Sequence, residues 1–154
     1  MSTDPISAIE FETLAFTRHI TAAVGRARRD ELVLEGSAYT LMTLLEAGGP
    51  ASISTLSDIT GLDASTLNRQ TAALLRDGHV ERIADPDGGI ARIFRLTFAG
   101  NIALEYEQSH SRAALARTLA GWTPDEHAEL ARVLRRFNET TEQNYPKPWP
   151  RDTP

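Results

Sequence analysis

Leu56-Ser57-Asp58-Ile59-Thr60-Gly61-Leu62-Asp63-Ala64-Ser65-Thr66-Leu67-Asn68-Arg69 is the stretch on which the fold turns. Ser54 precedes a short helix, Thr55 to Thr60, that Gly61 ends; Asp63 caps a longer helix from Ala64 to about Asp77. The caps follow from chemistry: a short oxygen-bearing side chain accepts from the unpaired amides of the first helical turn, and glycine tolerates the left-handed conformation that closes the last. Two helices meeting across Gly61-Leu62-Asp63 are the sequence form of a helix-turn-helix. Leu56 and Ile59 face inward from the first helix, Leu62 plugs the turn, and Leu67, Leu74 and Leu75 line the inner side of the second.

The opposite face of that second helix carries Ser65, Thr66, Asn68, Arg69 and Gln70. The major groove admits one helix, and polar side chains near its N-terminus reach base edges while its amides favour phosphate. Asn68 and Gln70 suit adenine, Arg69 suits guanine, and Ser65 and Thr66 suit phosphate. A lone surface helix would more often show such a face merely because it is wet; the neighbouring turn and hairpin reverse that weighting.

Downstream, Gly78 ends the helix and the period changes. His79 to Ile83 and Arg92 to Leu96 read as short strands around Asp85-Pro86-Asp87-Gly88-Gly89, most simply a hairpin. Thr97 caps a long helix to about Ala120, with Ile102, Tyr106, Ala113, Leu115 and Leu119 as a loose apolar face. Thr123-Pro124-Asp125-Glu126 combines N-cap, first-position proline and capping-box glutamate, and Leu130, Val133, Leu134 and Phe137 follow at helical spacing. After Asn144, prolines at 146, 148 and 150 favour an extended tail, 145–154.

Upstream, Asp4-Pro5 opens a long amphipathic helix, about 5 to 30, with Ile9, Phe16, Ile20, Val24 and Ala27 on one side. Arg26-Ala27-Arg28-Arg29 reads as its solvated end, since cations favour helix C-termini. Ser37 is positioned to cap a second helix, Ala38 to Ala47, stopped by Gly48-Gly49-Pro50. The fold class is mainly α (α+β): a winged helix-turn-helix lobe at 37–97, flanked by helical segments at 5–36 and 98–144.

At this point the sequence resembles the MarR (multiple antibiotic resistance regulator) family of bacterial regulators. The stretch 56–69, Gly78-His79-Val80-Glu81-Arg82, Asp85-Pro86-Asp87 and Leu96-Thr97-Phe98-Ala99-Gly100 carry the resemblance, which with the flanking helices covers about 5 to 144. It implies that the flanking segments 5–36 and 98–144 are for dimerisation, in a homodimer interleaved through its first and last two helices, binding double-stranded DNA at a near-palindrome with half-sites about 34 Å apart. It also implies repression relieved by a small, often aromatic or phenolic acid. The expected place for such an effector is near His19, Tyr39 and Met42, although a histidine and a tyrosine at home in a core are the plainer reading. Burying Ile20, Val24, Leu130, Leu134 and Phe137 against a partner would account for apolar content too dispersed for a monomer core. Where the family's wing usually carries an arginine there is Gly89; Arg92 is the nearest substitute, with Arg82 and Arg95 for backbone phosphates.

Whole-chain properties set bounds. The 154 residues, 41% hydrophobic and 24% charged, suit one globular domain. The absence of cysteine excludes disulfides and thiolate chemistry. No run is long enough to span a membrane and Met1 to Pro5 lacks an export signal, so a cytoplasmic location is expected. Sixteen Lys plus Arg against 21 Asp plus Glu leave a net charge of −5, an unusual balance for a DNA binder. All the cations except Lys147 are arginine, which suits bidentate contacts. From 63 to 97 Asp63, Asp77, Glu81, Asp85 and Asp87 cancel Arg69, Arg76, Arg82, Arg92 and Arg95, so nonspecific affinity should be weak with a modest salt dependence.

No enzyme is expected. Walker, dinucleotide and nucleophile-elbow motifs are missing, and His19, His79, His110 and His127 have no metal-ligand spacing. Neither a cofactor nor a metal is implied; Asp85 to Gly89 lacks the further ligands of a calcium loop. Two rivals remain open: a winged-helix protein-interaction module without DNA binding, and a small hydrolase.

Overall fold

A computed structural model of the chain describes residues 4–27 and 34–151. Its order is α1 (Pro5–Ala27), α2 (Gly36–Gly48), α3 (Ile53–Thr60), α4 (Ala64–Arg76), β1 (Val80–Ile83), β2 (Ile93–Leu96), α5 (Phe98–Thr118) and α6 (Pro124–Glu142). The chain divides into two compact units, Met1–Gly36 and Ser37–Pro154. The expected continuation of α1 to 30, with Arg28 and Arg29, lies outside the described residues, as do the side chains of Val24 and Ala27.

The core of the second unit is the inner side of the helix-turn-helix. Leu41, Met42, Leu56, Leu67, Leu74 and Leu104 are fully buried, joined by Ile59, Val80, Ile93 and Phe94. Each such side chain contributes about 1.5–3 kcal/mol relative to exposure. Thr71, the buried polar residue among them, is satisfied by donating its hydroxyl to the Leu67 carbonyl at 2.8 Å. Leu75 is only half-buried.

Three local expectations are corrected. Ser52, not Ser54, caps α3: its backbone is extended and its hydroxyl accepts from the Thr55 N–H at 3.1 Å. The cause lies in the preceding residue, because Ala51 exchanges both backbone hydrogen bonds with Phe94, at 3.1 and 2.9 Å, and so holds the chain extended up to Ser52. Ser37 lies inside the first turn of α2 instead of capping it. Leu62 does not plug the turn; it is 38% exposed. The turn is held instead by hydrogen bonds, with Ser57 Oγ donating to the Leu62 carbonyl at 2.7 Å and the Leu62 N–H donating to Thr60 Oγ1 at 3.2 Å. On α5 the inward residues are Gly100 and Leu104, one turn apart, while Ile102, Tyr106 and Leu115 stay exposed.

The α5 junction explains the Thr97-to-Gly100 spacing. Thr97 Oγ1 accepts from the Gly100 N–H at 3.0 Å and donates to the Gly78 carbonyl at 2.6 Å, and the Thr97 N–H donates to the His79 carbonyl at 3.0 Å. A Cβ on Gly100 would collide with the His79 carbonyl oxygen, so only glycine lets α5 start this close to β1.

Candidate nucleic-acid interface

The site is built on α4. Asp63 adopts an extended backbone and its carboxylate takes two hydrogen bonds from one residue: Oδ1 accepts the Thr66 N–H and Oδ2 the Thr66 hydroxyl, both at 2.8 Å. Those bonds hold the Asp63 carboxyl below the usual carboxylate range. At the other end Gly78 takes a left-handed φ of 73°, and the His79 N–H reaches back to the Leu74 carbonyl at 3.0 Å. The outward face of α4 is thereby fixed at both termini.

On that face Ser65, Asn68 and Arg69 are exposed. Arg69 has no ion-pair partner among the described residues, so its guanidinium is available. Thr66 and Gln70 are placed differently. The amide and hydroxyl of Thr66 are both taken by Asp63, and Gln70 is half-buried with its Oε1 shielded and unpartnered among the described residues. Of the five polar residues, Asn68 and Arg69 are the adjacent pair that α4 presents outward with long polar side chains.

The hairpin separates its arginines by the period of a strand. Register pairs Glu81 with Arg95 and Arg82 with Phe94, so Arg95 and Arg82 stand on opposite faces. Arg95 donates through Nε at 3.0 Å and Nη2 at 2.6 Å to Glu81 Oε1, whereas Arg82 lies 5.8 Å from the centre of the Phe94 ring. The Arg95 pair is about half exposed, which makes it worth at most about 1 kcal/mol and exchangeable for a phosphate. Arg92 is exposed and has no ion-pair partner among the described residues.

At the wing tip Asp85 organises the loop. Its Oδ1 accepts the Asp87 N–H at 2.9 Å and its carbonyl the Gly88 N–H at 3.0 Å, and Gly88 takes a φ of 80°. The place a Gly89 Cβ would need is filled by Asp85 Oδ2. The carboxylate that folds the turn thus also occupies the space where a side chain at 89 would begin. Ile90, which the sequence reading passed over, is fully exposed beside it.

The residues expected to receive an effector differ in burial. Tyr39 is half-buried and Met42 fully buried, nearly one turn apart on α2, and His19 is exposed on α1. Among the described residues no group of three or more His, Cys, Asp or Glu is arranged to hold a metal ion. No helix among them is long and apolar enough to cross a membrane.

Comparison with known proteins places this geometry. Residues 34–89 match the model of the MarR family. The chain is 30% identical over 136 residues to YxaD of Bacillus subtilis (strain 168), an HTH-type transcriptional regulator itself uncharacterized, covering 88% of this chain and 94% of that one. Its fold is similar to that of a MarR family protein from Bacillus stearothermophilus, with a TM-score of 0.69 at 23% identity over 91% of this chain and 99% of the other. It is also similar to the organohalide-sensing transcriptional regulator RdhR-CbdbA1625 in its 2,4-dichlorophenol-bound form, with a TM-score of 0.63 at 18% identity over 92% and 88% of the two chains. A capped recognition helix with Asn68 and Arg69 outward, a hairpin wing locked on Asp85, and a relative matched along nearly its whole length lead to one assignment: the chain belongs to the MarR family of DNA-binding transcriptional regulators.

Proposed function

We propose that the chain is a homodimeric repressor that inserts α4 into the major groove at each half of a pseudo-palindromic operator, and that a small aromatic or phenolic acid releases it. The observation that carries the reading is the exposed Asn68–Arg69 pair on a helix whose two ends are already fixed. Ser65 is assigned to phosphate, Arg82, Arg92 and Arg95 to the backbone beside the wing, and Thr66 and Gln70 chiefly to the shape of α4.

The dimer is supported by apolar side chains that are exposed among the described residues. Ile6, Ile9, Phe11, Leu14, Phe16 and Ile20 are exposed on α1. Val133, Leu134 and Phe137 are exposed on α6, a helix of 19 residues that buries none. A helix so amphipathic draws its stability from covering that face, and a second copy of the chain is the covering that a two-fold operator requires. The effector class rests on the dichlorophenol complex of a distant structural relative. Tyr39 is its candidate contact on α2, since Met42 is closed within the core.

Selection of bound fragments from genomic DNA, followed by sequencing, tests the whole reading. Arg69→Ala should weaken binding to the recovered inverted repeat by about 1–3 kcal/mol, roughly 5- to 150-fold, while sedimentation still reports a dimer. A protein-interaction module would select no inverted repeat and would be indifferent to Arg69.

A further inference from the structure

The segment after α6 makes contacts that the DNA-binding reading does not use. Its prolines forbid helix, and the Tyr145 N–H turns the chain back by donating to the Glu142 carbonyl at 2.9 Å. The Tyr145 ring then lies over Gly61, the left-handed residue that ends α3; a Cβ there would stand 2.6 Å from Tyr145 Cε1. Two residues on, the Lys147 N–H donates to the Asp58 carbonyl at 3.2 Å, satisfying one of the carbonyls that the last turn of α3 leaves open. Pro150 closes on the end of α2, with Cγ 3.2 Å from where a Gly48 Cβ would be.

The far end of the segment returns to α6. The Glu142 carboxylate accepts the Trp149 N–H at 3.2 Å and takes the Arg151 guanidinium in a two-pronged pair, Nη1 to Oε2 at 2.7 Å and Nη2 to Oε1. This is the least exposed ion pair among the described residues, and its hydrogen bonds hold the Glu142 carboxyl below the usual range. Along its 19 residues α6 buries none, so the segment's contacts at Glu142 are its anchored end.

We propose that residues 145–151 are a strap that fixes the helix-turn-helix at a set angle to α6, with Tyr145, Glu142 and Arg151 as positioning residues for DNA recognition. The proposal rests on the DNA-binding reading above. Cut loose, the lobe samples other angles, and the apparent affinity falls by the fraction of time it spends at the productive one. Glycine at 61 then answers two needs at once, the turn of α3 and the seat of the Tyr145 ring.

The chain has no cysteine, so Arg76→Cys on α4 and Arg136→Cys on α6 give two clean spin-label sites. Doubly labelled chain diluted into excess unlabelled chain reports the intrachain distance between them. With the full tail the distance distribution is narrow; ending the chain after Asn144, or substituting Tyr145→Ala or Glu142→Ala, should broaden it. The same unlabelled variants should bind the selected inverted repeat about tenfold more weakly, and tolerate one extra base pair between half-sites better than the full chain does. A distribution that stays narrow in all three variants overturns the strap. Broadening with unchanged affinity and spacing preference overturns the positioning role. If the full chain selects no inverted repeat, the DNA-binding reading falls and the positioning role with it, while the distances alone still decide whether the tail straps the lobe to α6.

Discussion

Replacing Gly100 by alanine sets two ordinary effects against each other. Alanine is the better helix former by about 1 kcal/mol in a helix interior, and Gly100 lies in the first turn of α5, so propensity alone predicts a gain. The new Cβ, however, would strike the His79 carbonyl oxygen, with the carbonyl carbon at 2.9 Å and Cα at 3.2 Å. All three are main-chain atoms, so relief requires α5 to move away from β1; no side chain can rotate to make room. Overpacking of that kind costs about 1–3 kcal/mol. The same movement stretches the two bonds by which Thr97 holds the junction, to Gly78 and His79, each worth about 1 kcal/mol. The balance is a net loss of about 2 kcal/mol. Gly121→Ala is the control: nothing lies within 4 Å of its Cβ position, so it should be neutral or gain up to about 1 kcal/mol through the unfolded chain. Urea unfolding at one fixed protein concentration measures both, because the midpoint of any chain that self-associates moves with concentration. A Gly100→Ala midpoint at or above that of the parent chain would refute the reasoning.

Gly89→Arg should raise affinity for unrelated duplex DNA and steepen its salt dependence by about 0.9 in log–log slope per wing. The Asp85 carboxylate must first leave the space it fills there, and anisotropy titrations across several salt concentrations would show an unchanged slope if the wing stays off the duplex. Stability should be level from neutral pH down to about 5 and fall below about 4. Asp63, Glu126 and Glu142 all have carboxyls lowered by hydrogen bonding in the folded chain, so their contributions are present above the unfolded value and lost as pH falls through the folded one. Asp63→Asn keeps a good cap and removes one titration; urea midpoints against pH should show the acid limb flattening with little change at pH 7.

Much of this fold was legible because its helix ends are written in side-chain chemistry. Asp63, Gly61, Thr97 and the Thr123–Glu126 box each do locally what their residue types do anywhere, and the hairpin announced itself by a change of period. Errors arose where a distant residue decided a local question. Ser52 prevailed over Ser54 because Phe94, some forty positions away in sequence, holds Ala51 extended. Leu104, which the loose apolar face did not include, is buried because Gly100 turns that side of α5 toward β1, and no helical pattern within α5 alone records this. The site was half legible: α4 could be placed, but only coordinates show that Asp63 takes up Thr66, that Gln70 turns inward, and that Glu81 holds Arg95.

The Asp63 cap has an electrostatic consequence. It sets a negative group at the amide end of α4, where a passing phosphate would otherwise lodge, and Glu81 keeps Arg95 similarly engaged. With one carboxylate at the start of α4 and another beside Arg95, few cations are left over for random duplex, so background occupancy of unrelated DNA should be low and change little with salt.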